Sequence, residues 1–302
     1  MMNILLTALA PIFWGTTYLV TTELLPEGRP LLAGALRALP VGLWIVISYR
    51  KLPQGVWWWR MFVLGTLNIG LFFVLLFVAA YRLPGGVAAT LGAIQPLIVA
   101  GLAWVLLAQR PRFITLLAGV VGIIGVALLV LAPGVALDVW GVVAALAGAV
   151  SMATGVVLAK RWVRPVPVLL FTGWQLLVGG LLVAVLSLLI EGLPPQFTMT
   201  NVLGFSYLGV VGTGLAYTLW FRGIERIGVS VSFLGLLSPL VATLVGYVVL
   251  EQHLSRWQLV GGTLILVSVV VGNWQGQKRQ GRKLQHIQSE PVTGTVPQPV
   301  CN

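Results

Sequence analysis

Little in this chain can carry acid–base or metal chemistry. Its 302 residues include seven Asp and Glu, two His and one Cys. Cys301 falls in a polar tail, so neither a disulfide framework nor a thiolate metal site can be built. His253 falls in a short loop and His286 in the tail, which leaves no histidine pair for a ligand set or a general base inside the apolar stretches. Glu23, Glu225 and Glu251 all lie near the ends of those stretches, so a proton relay buried at mid-membrane is not visible. No Gly-rich phosphate loop is present, which excludes an ATP-driven pump in this chain, and no cofactor is implied. Charged residues of every kind make up 8% of the chain against 58% hydrophobic, a balance that excludes a soluble globular domain.

What is present is a series of apolar stretches, each near the roughly 20 residues that a helix needs to cross a hydrocarbon core. Ten are read, at about 4–22, 31–48, 60–80, 86–107, 114–132, 138–159, 168–190, 202–221, 231–250 and 257–274. Breaks between them are marked by Leu83-Pro84-Gly85-Gly86, Pro133-Gly134 and Leu193-Pro194-Pro195. The alternating period of a barrel strand is missing, so the fold expected is an all-α integral membrane protein. The first stretch has no basic start and no small-residue cleavage site before Glu23, unlike a secretory signal. From Gln275 to Asn302 the chain is polar and is expected to be a disordered tail.

A formal charge of +11 could suggest a nucleic-acid partner, but its distribution points to lipid. With the N-terminus placed in the cytoplasm, fourteen Lys and Arg fall in inner loops and tail, and only Arg29, Arg82 and Arg256 fall outside. That is the positive-inside asymmetry of a membrane protein, with both termini cytoplasmic. The basic excess then confers affinity for anionic lipid and no role with nucleic acid. Trp57, Trp58, Trp59, Trp140, Trp162, Trp257 and Trp274 stand at stretch ends, where an aromatic belt is expected.

The chain also repeats itself. A shift of 143 residues lays the fourth and fifth stretches on the ninth and tenth without a gap. Ten residues between 91 and 126 then meet their identical counterparts, among them Leu91-Gly92 with Leu234-Gly235 and Pro96-Leu97 with Pro239-Leu240. Chance in this composition would give roughly three or four. Slightly different offsets place Ala8-Leu9-Ala10 on Ala145-Leu146-Ala147 and Arg37 on Gln175. Two five-helix repeats are expected, 1–135 and 136–274. Five is odd, so the second enters the membrane from the opposite side, an inverted arrangement typical of secondary transporters.

Residues along the chain resemble those of the drug/metabolite transporter superfamily, in its ten-helix branch with two EamA domains. The resemblance rests on Ala10-Pro11-Ile12-Phe13-Trp14-Gly15, Arg37, Leu83-Pro84-Gly85-Gly86-Val87-Ala88-Ala89, Gln95-Pro96-Leu97, Ser238-Pro239-Leu240 and Glu251. It covers residues 4–274 and implies an exporter of small organic solutes with a central cavity between the halves. Within the branch the chain looks most like the amino-acid exporters, including those for aromatic amino acids. Gly148-Ala149-Val150-Ser151 departs from the pattern, because the aromatic-glycine signature of Phe13-Trp14-Gly15 is missing there.

Candidate cavity residues follow from polarity and spacing. Pro96 and Pro239 remove backbone donors and should kink their helices, freeing the carbonyls of Gly92 and Gly235; Gln95 and Ser238 adjoin them. Such carbonyls could receive an ammonium group or a water, or could simply be satisfied by neighbouring helices. Asn68 and Phe72 share a helix face, with Tyr81 further along. Thr213, Tyr217 and Trp220 form a similar face, as do Trp14 and Tyr18, while Trp104 matches Tyr247 across the repeat. Rings of this kind can stack on an amphipathic solute, although aromatics are common throughout the chain.

Arg37 lies about six residues inside the second stretch. It could hold a substrate carboxylate, snorkel outward, or pair with Glu23 as a gate, and Gln175 is its uncharged counterpart. Ala118, Gly122, Gly125 and Gly261-Gly262 read as close-packing positions between helices. The partner expected is therefore a small amphipathic molecule, with amino acids first. An exporter of organic cations is the alternative, and an intramembrane enzyme a remote one, since it would need clustered His, Asp or Glu at one face. Ten helices can enclose a site within one chain, so a working monomer is compatible with the sequence.

Overall fold

The computed structural model describes residues 2–26, 28–83, 91–130, 138–192, 196–249 and 255–289, and for Tyr18, Thr22, Phe77, Ala80, Tyr81, Val130, Gly246 and 275–289 the backbone alone. Among the described residues every regular element is helical. Helices suit a chain in lipid, where each backbone N–H and C=O has to find its partner within the segment. Eight of them are long and apolar enough to cross a membrane, and Gln95–Leu107 and Phe113–Leu129 are apolar but shorter. This is a multi-pass helical membrane protein.

Two of the helices are interrupted by wider turns. Trp57–Gly65 passes through a π turn, Thr66–Gly70, into Leu71–Arg82. Met199–Gly209 passes through a second, Val210–Leu215, into Ala216–Ile227. The backbone then turns at Gly228, whose φ of 88° a side chain would strain. It continues as a 3-10 run, Val229–Leu236, into Leu237–Val249.

Close helix pairs form where small residues let backbones approach, which is how helices associate when lipid removes the hydrophobic drive. Pro30–Tyr49 lies along Val168–Ile190. A Cβ on Gly42 would meet the Leu177 nitrogen at 2.5 Å, and one on Gly180 the Leu39 nitrogen at 2.7 Å. Phe113–Val130 lies along Arg256–Ser289 in the same way, with Gly125 and Gly261 each facing the other's carbonyl. There Ser268 Oγ donates to the Ala118 carbonyl over 2.6 Å. The packing positions read from the sequence are those that touch.

Further contacts join Met2–Gly15 to Ala216–Ile227 and to Leu237–Val249, and Val139–Arg161 to Leu71–Arg82 and to Gln95–Leu107. Glu191, at the end of Val168–Ile190, caps the neighbouring Pro30–Tyr49 helix. Its two carboxylate oxygens accept from the backbone N–H of Leu31 at 2.7 Å and of Leu32 at 2.8 Å. Arg29 Nη1 donates to the Glu191 carbonyl at 2.6 Å and so fixes the same corner. A carboxylate over the N-terminal amides of a helix satisfies donors that have no partner within it.

Three expectations need correction. Gln95–Leu107 begins at the Pro96 turn, with Pro96 in its first turn and Ala93-Ile94 outside the helix, so the chain breaks there where a kink was expected. Proline is pre-organised for a helix start and cannot continue one. Pro239 likewise stands in the first turn of Leu237–Val249, and the Gly235 carbonyl is taken by the Leu237 N–H, so it is not free. The last helix continues to Ser289, past the point where a disordered tail was expected. Residues such as Gln, Lys and Arg favour a helix once a membrane span has nucleated it. Pro84 to Ala89, Pro133-Gly134, Leu193 to Pro195, Glu27 and Glu251 lie outside the described residues.

At the surface Trp58, Trp59, Trp140, Trp257 and Trp274 are exposed. Arg60 lies over the Trp57 ring at 4.9 Å and the Trp162 ring at 5.5 Å. Amphipathic rings and snorkelling guanidinium groups are what a headgroup layer selects.

Candidate functional site

Each π turn replaces the regular i to i+4 hydrogen bond with a wider one and leaves a backbone carbonyl open to side chains. In Val210–Leu215 that carbonyl belongs to Gly212, which has no side chain to screen it. Trp14 Nε1 donates to it over 3.0 Å and Arg37 Nη2 over 3.1 Å. Arg37 Nε donates to the adjacent Thr213 Oγ1 over 2.9 Å. Trp14 reaches this point because Gly15 lets the first helix press on the Ser238 carbonyl and Val241; a Cβ there would stand 2.8 and 2.6 Å from them.

Arg37 is only 5% exposed. Its guanidinium carbon lies 4.9 Å from the centre of the Phe73 ring. Around it the Trp14 ring is 5.1 Å from both Tyr217 and Trp220, and Tyr217 is 6.4 Å from Phe73 and 6.0 Å from Phe221. Tilted and edge-on contacts at these separations are favourable for aromatic pairs and hold the rings in fixed places. Three helical segments thus bring aromatic side chains to one buried guanidinium.

A second polar cluster forms at the other π turn. Asn68 Nδ2 donates to Gln175 Oε1 over 2.8 Å, and both residues are fully buried. Gln175 Nε2 donates onward to the Phe171 carbonyl at 3.3 Å. Ser151 Oγ donates to the Leu67 carbonyl within the turn over 2.8 Å. The Asn68 amide lies directly against Gly155, where a Cβ would be 2.0 Å from its oxygen. Asn68 Oδ1 and Trp220 Nε1 are buried without a hydrogen-bond partner.

Of the residues singled out in the sequence, the structure brings Trp14, Arg37, Thr213, Tyr217 and Trp220 together, and joins Asn68 to Gln175 in the second cluster. Phe72 does not continue the Asn68 face. The π turn adds a residue to the helix between them and rotates the following positions, so Phe73 is buried at 1% exposure in its place. Trp104 is 52% exposed and Tyr247 47%, so both face away from the clusters. Glu23 lies on the exposed side of Thr17–Leu24, and Arg37 takes Thr213, Gly212 and Phe73 as its described partners in place of Glu23. Gly92, Gln95, Gly235, Ser238 and Pro239 are half-buried along the broken helices, and Pro96 is buried. The side chains of Tyr18 and Tyr81 lie outside the described residues. Phe73, Ser151, Gly212 and Glu191 were not singled out; the matching glycine pairs around the two turns, Gly65 with Gly70 and Gly209 with Gly214, mark the turns in the sequence, and nothing marks Glu191.

The EamA-like transporter family matches residues 1–131 and again 139–274. Over 265 residues the chain is 50% identical to Protein PecM of Dickeya dadantii, covering 87% of this chain and 89% of that one. It is 28% identical over 283 residues to the Probable amino-acid metabolite efflux pump of Salmonella typhimurium, covering 88% of this chain and 93% of the relative. A protein of known crystal structure superposes with a TM-score of 0.74 at 24% identity over 89% of this chain and 97% of its own, a likeness of fold.

Proposed function

The chain belongs to the EamA-like transporter family, and from that premise we propose that it is a secondary carrier exporting small amphipathic metabolites, amino acids first, by alternating access. Ten helices form two inverted five-helix repeats, 1–135 and 136–274, around a central cavity in the inner membrane, with both termini cytoplasmic. Substrate enters from the cytoplasm, binds between the halves and leaves after they exchange conformations. No enzyme chemistry, cofactor or nucleic acid takes part, and one chain encloses the site.

The observation that carries this reading is the correspondence between the two polar clusters. Trp14 and Ser151 stand 137 residues apart, the offset that aligns Ala8-Leu9-Ala10 with Ala145-Leu146-Ala147. Arg37 and Gln175 are the aligned pair of the second and seventh helices. A shift of 144 lays Leu64-Gly65 on Leu208-Gly209 and Gly70-Leu71 on Gly214-Leu215, which superposes the π turns. Each turn is therefore held by a side chain from the helix aligned with the first and another from the helix aligned with the second. Exchanging repeat partners also carries the contact of Met2–Gly15 with Ala216–Ile227 into that of Val139–Arg161 with Leu71–Arg82. Matched contacts of this kind give a carrier two equivalent clamps, one in each leaflet, that open in turn.

The name of the Salmonella typhimurium relative supports amino acids as the substrate class. The test is uptake of labelled amino acids into liposomes containing the purified protein. Saturable uptake, competed by a few related amino acids and lost in Tyr217→Ala and Asn68→Ala, is expected. Transport of organic cations with no amino acid carried would move the assignment to drug export.

A further inference from the structure

Arg37 has an unusual set of partners for a buried cation. A guanidinium taken out of water is normally matched by a carboxylate, because the uncompensated charge costs several kcal/mol. Here its described partners are the Gly212 carbonyl, the Thr213 hydroxyl and the face of Phe73, all of them neutral. A carbonyl oxygen, a hydroxyl and an aromatic face are also the groups that receive an alkylammonium ion. Trp14 Nε1 donates to the same carbonyl and is a second, independent group that orients it.

From this geometry, and resting on the amino-acid carrier reading above, we propose that Arg37 is a tethered occupant of the carrier's ammonium site. A zwitterionic amino acid displaces it: the substrate's ammonium takes over the Gly212 carbonyl and the Phe73 face, and the released guanidinium takes the substrate's carboxylate. The two charges of an α-amino acid are separated by one carbon, and a long arginine side chain can move that distance by changing rotamer. One insertion then gives each half of the zwitterion a partner and pairs the guanidinium with a carboxylate, while the net charge of the site is unchanged. The substrate's apolar part rests on the rings of Trp14, Tyr217 and Trp220, of which the last two each lie 5.1 Å from Trp14. The Asn68–Gln175 pair, aligned with this position at the other π turn, carries no charge and cannot act in the same way. The zwitterion head is therefore recognised on the Arg37 side alone.

The test is calorimetric titration of purified protein with three compounds that share one side chain: phenylalanine, phenethylamine and 3-phenylpropionate. Wild-type protein should bind phenylalanine at least about tenfold more tightly than either singly charged compound, since a charge-assisted contact is worth roughly 1.5–3 kcal/mol and 1.4 kcal/mol is tenfold. Arg37→Gln removes the occupant, so its affinity for phenethylamine should hold or rise while that for phenylalanine falls to the same level. Arg37→Lys, which keeps the charge, should retain a preference for phenylalanine, and it serves if the glutamine variant does not fold. An Arg37→Gln or Arg37→Lys protein that loses all three compounds by a common factor overturns the inference and leaves Arg37 a structural tie. Wild-type binding of phenylalanine with no preference over phenethylamine also overturns it, and leaves the carrier reading standing. Wild-type protein that binds none of the three overturns the amino-acid reading and this site with it.

Discussion

Arg37 Nε lies 2.9 Å from Thr213 Oγ1, so a charge in the second membrane helix is tied to the π turn of a helix 176 residues later. The bond crosses from the first family-matched segment to the second, and any motion of one against the other has to break or carry it. Thr213→Val keeps the shape and removes the acceptor from a charged, buried donor. The expected loss is about 1–3 kcal/mol, read as a lower melting temperature of the purified protein, with Thr213→Ser close to wild type.

Asn68 and Gln175, likewise from the first and second family-matched segments, make the matching contact at the other π turn. Single alanine variants at the two positions should each destabilise the protein, and the double variant should lose less than their sum. The coupling expected for a buried neutral hydrogen bond is about 0.5–1.5 kcal/mol. Additive effects in a double-mutant cycle would show that the pair is not a bond in the working protein.

Gly155 makes room for that pair. An added Cβ would stand 2.0 Å from Asn68 Oδ1, so the amide would have to move from the place where it bonds Gln175. Gly155→Ala should cost about 1–3 kcal/mol by overpacking, and Asn68→Ala in the same chain should recover most of it. Melting curves of the two single variants and the double one decide this; no recovery would place the clash elsewhere.

Glu191 holds the start of its neighbour helix through the Leu31 and Leu32 amides. Glu191→Ala should cost about 0.5–2 kcal/mol, the range of a lost helix cap. Glu191→Gln, which can still accept, should cost less. Equal losses in the two variants would mean that charge, and not capping, is what matters there.

The polar core was partly legible because a lone arginine in an apolar stretch stands out against its background. Tyr217 and Trp220 were legible through helical spacing because both follow the second π turn, whereas Thr213 stands inside it. Phe73 was not, because the extra residue in Thr66–Gly70 shifts the buried face by one position, and hydrophobic periodicity assumes a constant turn. Trp104 was picked by its match to Tyr247, yet a repeat reports shared ancestry of position and says nothing about which face meets lipid. Glu191 stands at the end of an apolar stretch with no motif around it. Its capping role depends on how closely two glycine-bearing helices pack, a tertiary fact with no local signal.

Counterflow tests the alternating-access account most directly. Liposomes containing the protein are loaded with an unlabelled amino acid substrate and diluted into a trace of the labelled one. A carrier whose two halves exchange conformations with substrate bound should accumulate label transiently above its equilibrium level before it declines. A steady approach to equilibrium with no overshoot, at a concentration where the protein demonstrably transports that amino acid, would contradict the account and indicate an open pathway.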